Sequence, residues 1–455
     1  PLNVATYRKV QEAAQYAMPS LLSQIGEYFK DQINQPLTMT YLEIQNPEGR
    51  IEQIPYKMPW SDGKAGKDFL MSRAKLVKEM LAELGLKDEE GKPIESTEKA
   101  VLQEYRESHP GIALLIDYWT LVKQSQFNYE EYQHPKTGCI HSRYSSSQAS
   151  TGRFSSSSLN MQQVCKLQML HPDGSKLSFR DCFEAESGWL LCSADFSGQE
   201  TSLVAMLSGD KVMVDALNNG DDLHAIAGAG AFNVPLDKVR EIIPSMGKSA
   251  RDLGKCINFS LCYGKTAEGF AQDWHVSKAE ATKVVKNYEN KFPQLSRWLK
   301  YNGELGAARA YAQVQNGPIR FVGEAKRGDK DAPKRASGNH LVQGQGAVMT
   351  KIAMCLLDER SRETNKSIKL ISVIHDEILA LLKYGPQCST GQFYATGEGN
   401  GSEAKEKCLA GCPEQDCALK YETMIGNCMR EAGESILKGI VPAGFSAVTG
   451  KTWLH

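Results

Sequence analysis

A lone aspartate, a ladder of cations and aromatics, and a His-Asp-Glu string follow one another in fixed order along this 455-residue chain. The first motif is SADFSGQE, in which Asp195 closes the apolar run Trp189–Ala194. The second is RDLGKCINFSLCYG, with Arg251, Lys255, Phe259 and Tyr263 at four-residue steps. The third is VIHDE, which sets His375, Asp376 and Glu377 between apolar runs. Two carboxylates on strand ends can hold a pair of Mg²⁺ ions, and a helix bearing two cations can grip a triphosphate. Phosphoryl transfer asks for little else, because it is mostly positioning and charge neutralisation.

Each motif also has an ordinary structural explanation. Ser197 to Glu200 spells S-x-x-E, the capping box that opens a helix, so Glu200 could simply serve the backbone there. Taken alone, Asp195 at a strand-to-helix junction does not establish metal ligation. Four-residue steps keep side chains on nearly one helical face, so Arg251 and Lys255 can both reach one polyphosphate while the aromatics stack on a base. Ser245 after Pro244 suits that helix's start and Gly264 its stop. An amphipathic surface helix is the plain alternative, and it fits the isolated R-x-x-x-K far better than the full ladder. The third string is the most telling. Charges inside an apolar hairpin are costly unless paired or bound to metal, and an ordinary turn would use Asn-Gly or Asp-Gly.

The elements that must carry these residues read as α+β. Strand-like runs at 189–194, 368–374 and 378–382 are separated by helical stretches, which puts the carboxylates on a small sheet. The opening third is mainly helical. One apolar stripe runs from Leu70 to Leu84 after a turn at 61–67, and a second runs from Ile112 to Val122, just after Pro110. Residues 145–158 are serine-rich and read as a solvated loop. With 53 Lys+Arg against 54 Asp+Glu, the overall charge points to no partner, so a nucleic-acid surface must come from local clustering. The length allows two or three domains. No run approaches a membrane span, and Pro1 in place of Met suggests processing or a fragment of something longer. Twelve cysteines, mostly set singly in apolar stretches, suit a reducing compartment.

With the three motifs in this order, the chain closely resembles the polymerase region of family A DNA polymerases, of the bacterial DNA polymerase I and short-tailed phage type. The resemblance extends to residues 135–163, which look like the family's T-G-R-x-S-S…N-L-Q-N stretch, to 335–351, and to the closing Trp453–His455. It implies a right-hand fold whose palm is a small antiparallel sheet covered by helices. Residues 1–110 would be the thumb, 111–203 and 322–455 the palm, and 204–321 the fingers. It implies template-directed addition of dNTPs to a primer 3′ end with two Mg²⁺ ions. Asp195 and Asp376 look like the metal-binding carboxylates, the Phe196 carbonyl a further ligand, and Glu377 a secondary carboxylate. Arg251 and Lys255, helped by His224, would hold the triphosphate. Phe259 would lie against the incoming sugar and base, Tyr263 near the templating base, and Glu200 resembles the gate against a ribose 2′-hydroxyl. Arg153, Asn160, Gln162, Arg335 and Gln343 would read the minor-groove side of the primer–template, with His375 near the primer end. Gly198, where bacterial enzymes often carry Gln, is nearer the phage pattern, and Phe196 replaces Tyr without affecting a backbone ligand.

The implied partners are primer–template DNA and dNTPs, with a processivity factor or a separate exonuclease as candidates and no membrane. The implied place is the cytoplasm of a bacterial or phage-infected cell, an organelle being left open. In the first 150 residues D-x-E occurs only at Asp88–Glu90, so no proofreading exonuclease is expected in this chain. A single-subunit RNA polymerase is disfavoured by Glu200 and Phe259, and a catalytically silent DNA-binding relative by the presence of both aspartates. TGKT at 449–452 has the wrong spacing for a phosphate loop. Basic residues from Lys326 through Arg327, Lys330 and Lys334 to Arg335 suit phosphate contact or a solvated loop. Residues 385–420 read as an insertion whose Cys388, Cys408, Cys412 and Cys417 could bind zinc. The spacing C-x3-C-x4-C is not the tight C-x2-C knuckle, which leaves free thiols as the alternative to zinc.

Overall fold

The computed structural model describes residues 1–28, 40–45, 51–57, 102, 110–125, 128–243, 246, 248–262, 264–274, 276–315, 317–323, 331–364 and 366–454. The helical stripe expected at 70–84, the turn before it and Asp88–Glu90 lie outside these residues. Two compact units emerge, one made of 2–140 with 164–183, the other of 141–163 with 184–455.

In the first unit, helix α1 (Val4–Tyr28) packs on α2 (Pro110–Ser125). Pro110 stands at the helix start, where its missing N–H is no loss, and the expected stripe Ile112, Leu115, Ile116, Trp119 and Val122 is buried. Tyr7 of α1 stacks on buried Tyr129 at 5.1 Å between ring centres. Strands β1 (Thr40–Gln45) and β2 (Ile51–Lys57) form an antiparallel hairpin in the same unit.

The second unit is built on one antiparallel sheet. The serine-rich stretch before it is a solvated loop only between its ends: Ser146, Ser147 and Ser150 are exposed, but β3 (Arg143–Ser145) pairs with β4 (Ser155–Ser157), and buried Ser156 accepts from the Met161 amide at 3.2 Å. The sheet proper contains β5 (Trp189–Phe196) and three strands from the last fifth of the chain, β8 (Ile368–Ile374), β9 (Glu377–Lys383) and β10 (Phe445–Gly450). Their spatial order is β8-β9-β5-β10, so β5 and β9 are central. That position explains why both read as nearly continuous apolar runs, since both of their faces are covered. The shorter pair β6 (Tyr311–Gln313) and β7 (Ile319–Phe321) stands apart from this sheet.

Helices α3 (Gln199–Ser208), α4 (Lys211–Asn219), α5 (Leu223–Phe232), α6 (Ala250–Cys262), α7 (Ala267–Asp273), α8 (Lys278–Lys291) and α9 (Pro293–Arg309) follow β5. Helix α10 (Ala332–Glu363) is about 48 Å long at 1.5 Å per residue. Its Gly346 lets the amide of Gln199 reach the α10 backbone, fixing the first turn of α3 just beyond Asp195. After β9 come α11 (Ser389–Thr396), α12 (Gly401–Gly411) and α13 (Ala418–Leu437). A continuous core links Ala194 and Phe196 of β5 to Leu253 and Ile257 of α6, Val342 and Met349 of α10, and Ile425 and Met429 of α13.

Candidate active site

Pairing register brings the carboxylates together. Glu377 at the start of β9 lies opposite Asp195 near the end of β5, and Asp376 is the residue immediately before it. Neighbouring antiparallel residues stand only about 5 Å apart, so Asp195 and Glu377, 182 positions distant in sequence, meet at one sheet end. Residues His375 and Asp376 form the two-residue loop between Ile374 and Glu377. His375 takes φ +59°, a left-handed conformation that a non-glycine side chain adopts at a cost of order 1 kcal/mol. The expected hairpin with His-Asp-Glu at its turn is present, and its backbone strain was not foreseeable from residue types.

The carboxylates have different surroundings. Glu377 is buried, and its Oε1 accepts from Ser193 Oγ at 2.6 Å and from the indole N–H of Trp453 at 2.8 Å. Burial raises the Asp376 pKa, partly offset by Arg153 and His375 and reinforced by the Glu200 charge. A desolvated carboxylate beside a second one is relieved by a cation. Mg²⁺ is usually held by one or two carboxylates with substrate phosphates and waters completing its octahedron, and Asp195 with Asp376 suits that donor set. The Phe196 backbone is fixed by pairing with Phe445, while its ring is buried.

Glu200 does not close the capping box that its spacing suggests. Helix α3 starts at Gln199 behind Gly198, which takes φ +64° and offers no side-chain cap. Arg153 holds the Glu200 carboxylate instead, Nη2 to Oε1 at 2.6 Å, with both side chains mostly covered. Glu200 then lines a narrow cleft with Thr201, Val204, Met213, Asn258, Phe259 and Val342. This is where the first and second motifs meet.

The ladder helix α6 begins at Ala250, later than the expected Ser245, which with Pro244 lies outside the described residues. Its cap is Ser249, which accepts from the Asp252 amide at 3.2 Å and donates to the Asp252 carboxylate at 2.7 Å. Arg251 and Phe259 are half-buried and Lys255 is exposed, while Tyr263 lies outside the described residues. Arg251 Nε donates to Asp222 Oδ2 at 2.6 Å. Burial would raise the Asp222 pKa, but Arg251 and the Ala225 amide outweigh it and hold the carboxyl below its ordinary value. Behind the ladder, the Tyr288 hydroxyl donates to Asn258 Oδ1 at 2.8 Å, so the Asn258 amide faces His224 Nδ1 at 3.0 Å. That chain makes Nδ1 an acceptor and leaves Nε2 as the ring's N–H. Burial lowers the His224 pKa further, so the ring is neutral at pH 7. His224 also lies 5.7 Å from the Phe259 ring.

What brings His224 to the ladder is a helix crossing through glycines. A Cβ on Gly254 would fall 2.4 Å from the Gly228 nitrogen and from the His224 carbonyl. One on Gly228 would fall 2.0 Å from the Ala250 carbonyl. Helices α5 and α6 therefore touch backbone to backbone, a role for Gly254 that lies hidden between Arg251 and Lys255.

The residues expected at the primer–template are spread along the same unit. Asn160 Oδ1 accepts from the Gln162 amide at 3.1 Å, and Gln162 donates to the Phe154 carbonyl at 2.8 Å, so both stabilise their own turn. Arg335 runs beside Gly264, Gln343 is half-buried on α10, and His375 is exposed. Lys326, Arg327 and Lys330 lie outside the described residues, whereas Lys334 pairs with Asp331 at 3.0 Å. Three residues went unnoticed in sequence. Lys351 donates to the Ser146 carbonyl at 3.2 Å and sits over the Phe154 ring, Tyr144 bonds Ser372 Oγ at 2.5 Å, and Asp222 holds Arg251. No motif marked them, because each acts on a partner far away in sequence. The sulfurs of Cys388, Cys408, Cys412 and Cys417 lie within 4.8 Å of one another.

A family model described as DNA polymerase family A matches residues 52–387. The thermostable DNA polymerase I of Thermus aquaticus is 31% identical over 350 residues, covering 74% of this chain and 39% of that protein. The DNA polymerase I of Chloroflexus aurantiacus is 29% identical over 285 residues, covering 62% of this chain and 29% of that protein. Among solved structures, the POL domain of Pol1 from M. smegmatis, in complex with DNA primer-template and dNTP, superposes with a TM-score of 0.66 at 21% identity, covering 100% of this chain and 67% of that one. The match thus spans well under half the length of these curated relatives. The fold expected from the resemblance is that of this structural neighbour. Among the described residues no helix is long and apolar enough to cross a membrane.

Proposed function

The chain belongs to DNA polymerase family A, and on that premise we propose that it adds dNTPs to a primer 3′ end on a DNA template. The observation that carries this reading is the strand register that sets Glu377 opposite Asp195, with Asp376 the residue immediately before it, so that three carboxylates belong to one sheet end. Two Mg²⁺ ions, when bound there, would activate the primer hydroxyl and neutralise charge on the leaving pyrophosphate. Asp195, Asp376 and the Phe196 carbonyl would hold them. Glu377, tied down by Ser193 and Trp453, would shape the site from beneath.

Arg251 and Lys255 would bind the triphosphate, and the neutral His224 would donate from Nε2 to a phosphate oxygen. Asp222 holds the Arg251 guanidinium until an anion competes for it. Phe259 would stack along the incoming nucleotide, Tyr263 near the templating base, and Glu200 would leave no room for a 2′-hydroxyl. Arg153, Asn160, Gln162, Arg335, Gln343 and His375 would line the primer–template track. Residues 1–110 are assigned as thumb, 111–203 and 322–455 as palm and 204–321 as fingers. The proposed setting is the cytoplasm of a bacterial or phage-infected cell.

Primer extension with dNTPs against rNTPs, with and without Mg²⁺, tests this directly. Asp195→Ala and Asp376→Ala should each abolish extension while DNA binding persists, because the many phosphate contacts supply affinity. Retention of a tenth of wild-type turnover in either variant would sink the assignment.

A further inference from the structure

The inserted segment between β9 and α13 has almost no conventional core. Its buried centre consists of Leu190 from β5, Cys388, Cys417 and Ala418, edged by Tyr384, Tyr394, Ala395, Cys408, Cys412 and Leu419. Four of these ten side chains are thiols. About thirty residues with so little apolar area do not hold one conformation by burial alone, and natural segments of this kind are stapled.

The four cysteines occupy corresponding places on the helices they join. Cys388 is the N-cap of α11, Cys408 lies in the last turn of α12, Cys412 is its C-cap, and Cys417 is the N-cap of α13. Three helix ends therefore converge on one point. All four sulfurs lie within 4.8 Å of one another, and Cys388 and Cys408 are 4.0 Å apart. That separation is about twice a disulfide bond. Tetrahedral zinc with Zn–S bonds of about 2.3 Å places its sulfurs about 3.8 Å apart, close to what is seen. An iron–sulfur cube interposes iron and sulfide between its thiolates and spreads them wider. Backbone amides also point at two of the sulfurs. The Gly391 and Ala418 amides donate to Cys388 Sγ at 3.3 and 3.4 Å, and the Thr390 amide donates to Cys408 Sγ at 3.4 Å. Two of the ligands stand at helix N-termini, where negative charge is favoured. Among the described residues this is the one group of three or more His, Cys, Asp or Glu side chains gathered closely enough to share an ion.

We infer that Cys388, Cys408, Cys412 and Cys417 bind one structural Zn²⁺ that staples α11 and α12 to the catalytic sheet. The attachment runs through both ends of the insertion. Cys388 follows β9, the strand carrying Glu377, and Cys417 opens α13, which packs on β5, β9 and β10. Closed thiolate coordination leaves no open position, so the ion orders the segment and takes no part in chemistry.

The test uses the full chain, purified from zinc-supplemented cells and dialysed to remove loosely held metal. Elemental analysis should find about one zinc and no iron per chain. The double variant Cys408→Ser/Cys412→Ser should fall below a tenth of that, and Asp195→Ala should keep it all, which separates this site from the carboxylate site. In the unmutated protein, removing zinc with a thiol-reactive mercurial should release one equivalent. It should also speed proteolytic cleavage within 388–417 several-fold relative to the rest of the chain. Four native thiols that react freely in metal-free protein with an uncleaved insertion would overturn the proposal. So would disulfides among the four by mass, or zinc retained in the double cysteine variant.

Discussion

The proposed rejection of ribonucleotides is the property for which the Arg153–Glu200 pair permits a number. Arg153 Nη2 and Glu200 Oε1 stand 2.6 Å apart, with side chains 22% and 17% exposed. A charge-assisted hydrogen bond in such a place contributes about 1.5–3 kcal/mol. A 2′-hydroxyl that displaced the carboxylate would forfeit up to that amount, a factor of about 10 to 150 in relative kcat/KM at 1.36 kcal/mol per tenfold. Arg153→Met keeps much of the side-chain length and removes the fork, so rejection of rNTPs should weaken by about that factor. Glu200→Ala removes the obstacle as well as its tether and should weaken rejection further. The assay is competition between ATP and dATP at one primer terminus. Because it reads a ratio, a general loss of DNA affinity on mutating Arg153 cancels. An Arg153→Met protein that still incorporates dATP and shows wild-type selectivity would refute the claim that the ion pair holds the gate. Unchanged selectivity in Glu200→Ala would remove Glu200 from the gate altogether.

Two further outcomes follow from the helix crossing beside the ladder. Gly254→Ala gains about 1 kcal/mol of helix propensity, yet its Cβ would sit 2.4 Å from two backbone atoms that cannot rotate away. Overpacking of 1–3 kcal/mol or more should win, so the variant should melt lower than wild type and extend primers poorly; an equal or higher Tm would contradict the crossing. Burial holds His224 below its ordinary pKa, so the folded ring binds its proton more weakly than the unfolded chain does. The stability it contributes is whole above about pH 6.5 and is lost as the pH falls through the folded value, with a slope of at most about 1.4 kcal/mol per pH unit. His224→Gln should flatten the Tm profile between pH 7 and 5, and parallel profiles for the two proteins would refute the argument.

The sequence by itself pointed to the proposed chemistry and to the local elements that carry it. Strands are legible where both faces are covered, because apolar runs such as 189–194 and 378–382 need no partner to be recognised. A ladder at four-residue steps and a charged string between apolar runs are local patterns, and local patterns survive in a one-dimensional record. Tertiary structure alone decided who holds what. The S-x-x-E spacing at 197–200 pointed to a cap, but Gly198 in a left-handed conformation and Arg153, 47 residues upstream, turned Glu200 into the wall of a cleft. The ladder helix found its cap at Ser249 rather than upstream, and Gly254 acquired a purpose only against Gly228 of another helix. Trp453 reaches back 76 residues to fix Glu377, and thiols 388, 408, 412 and 417, too widely spaced to read as a knuckle, gather because three helix ends converge. Spacing encodes periodicity along one element, whereas hydrogen-bond partners, close helix crossings and ligand clusters depend on where separate elements meet.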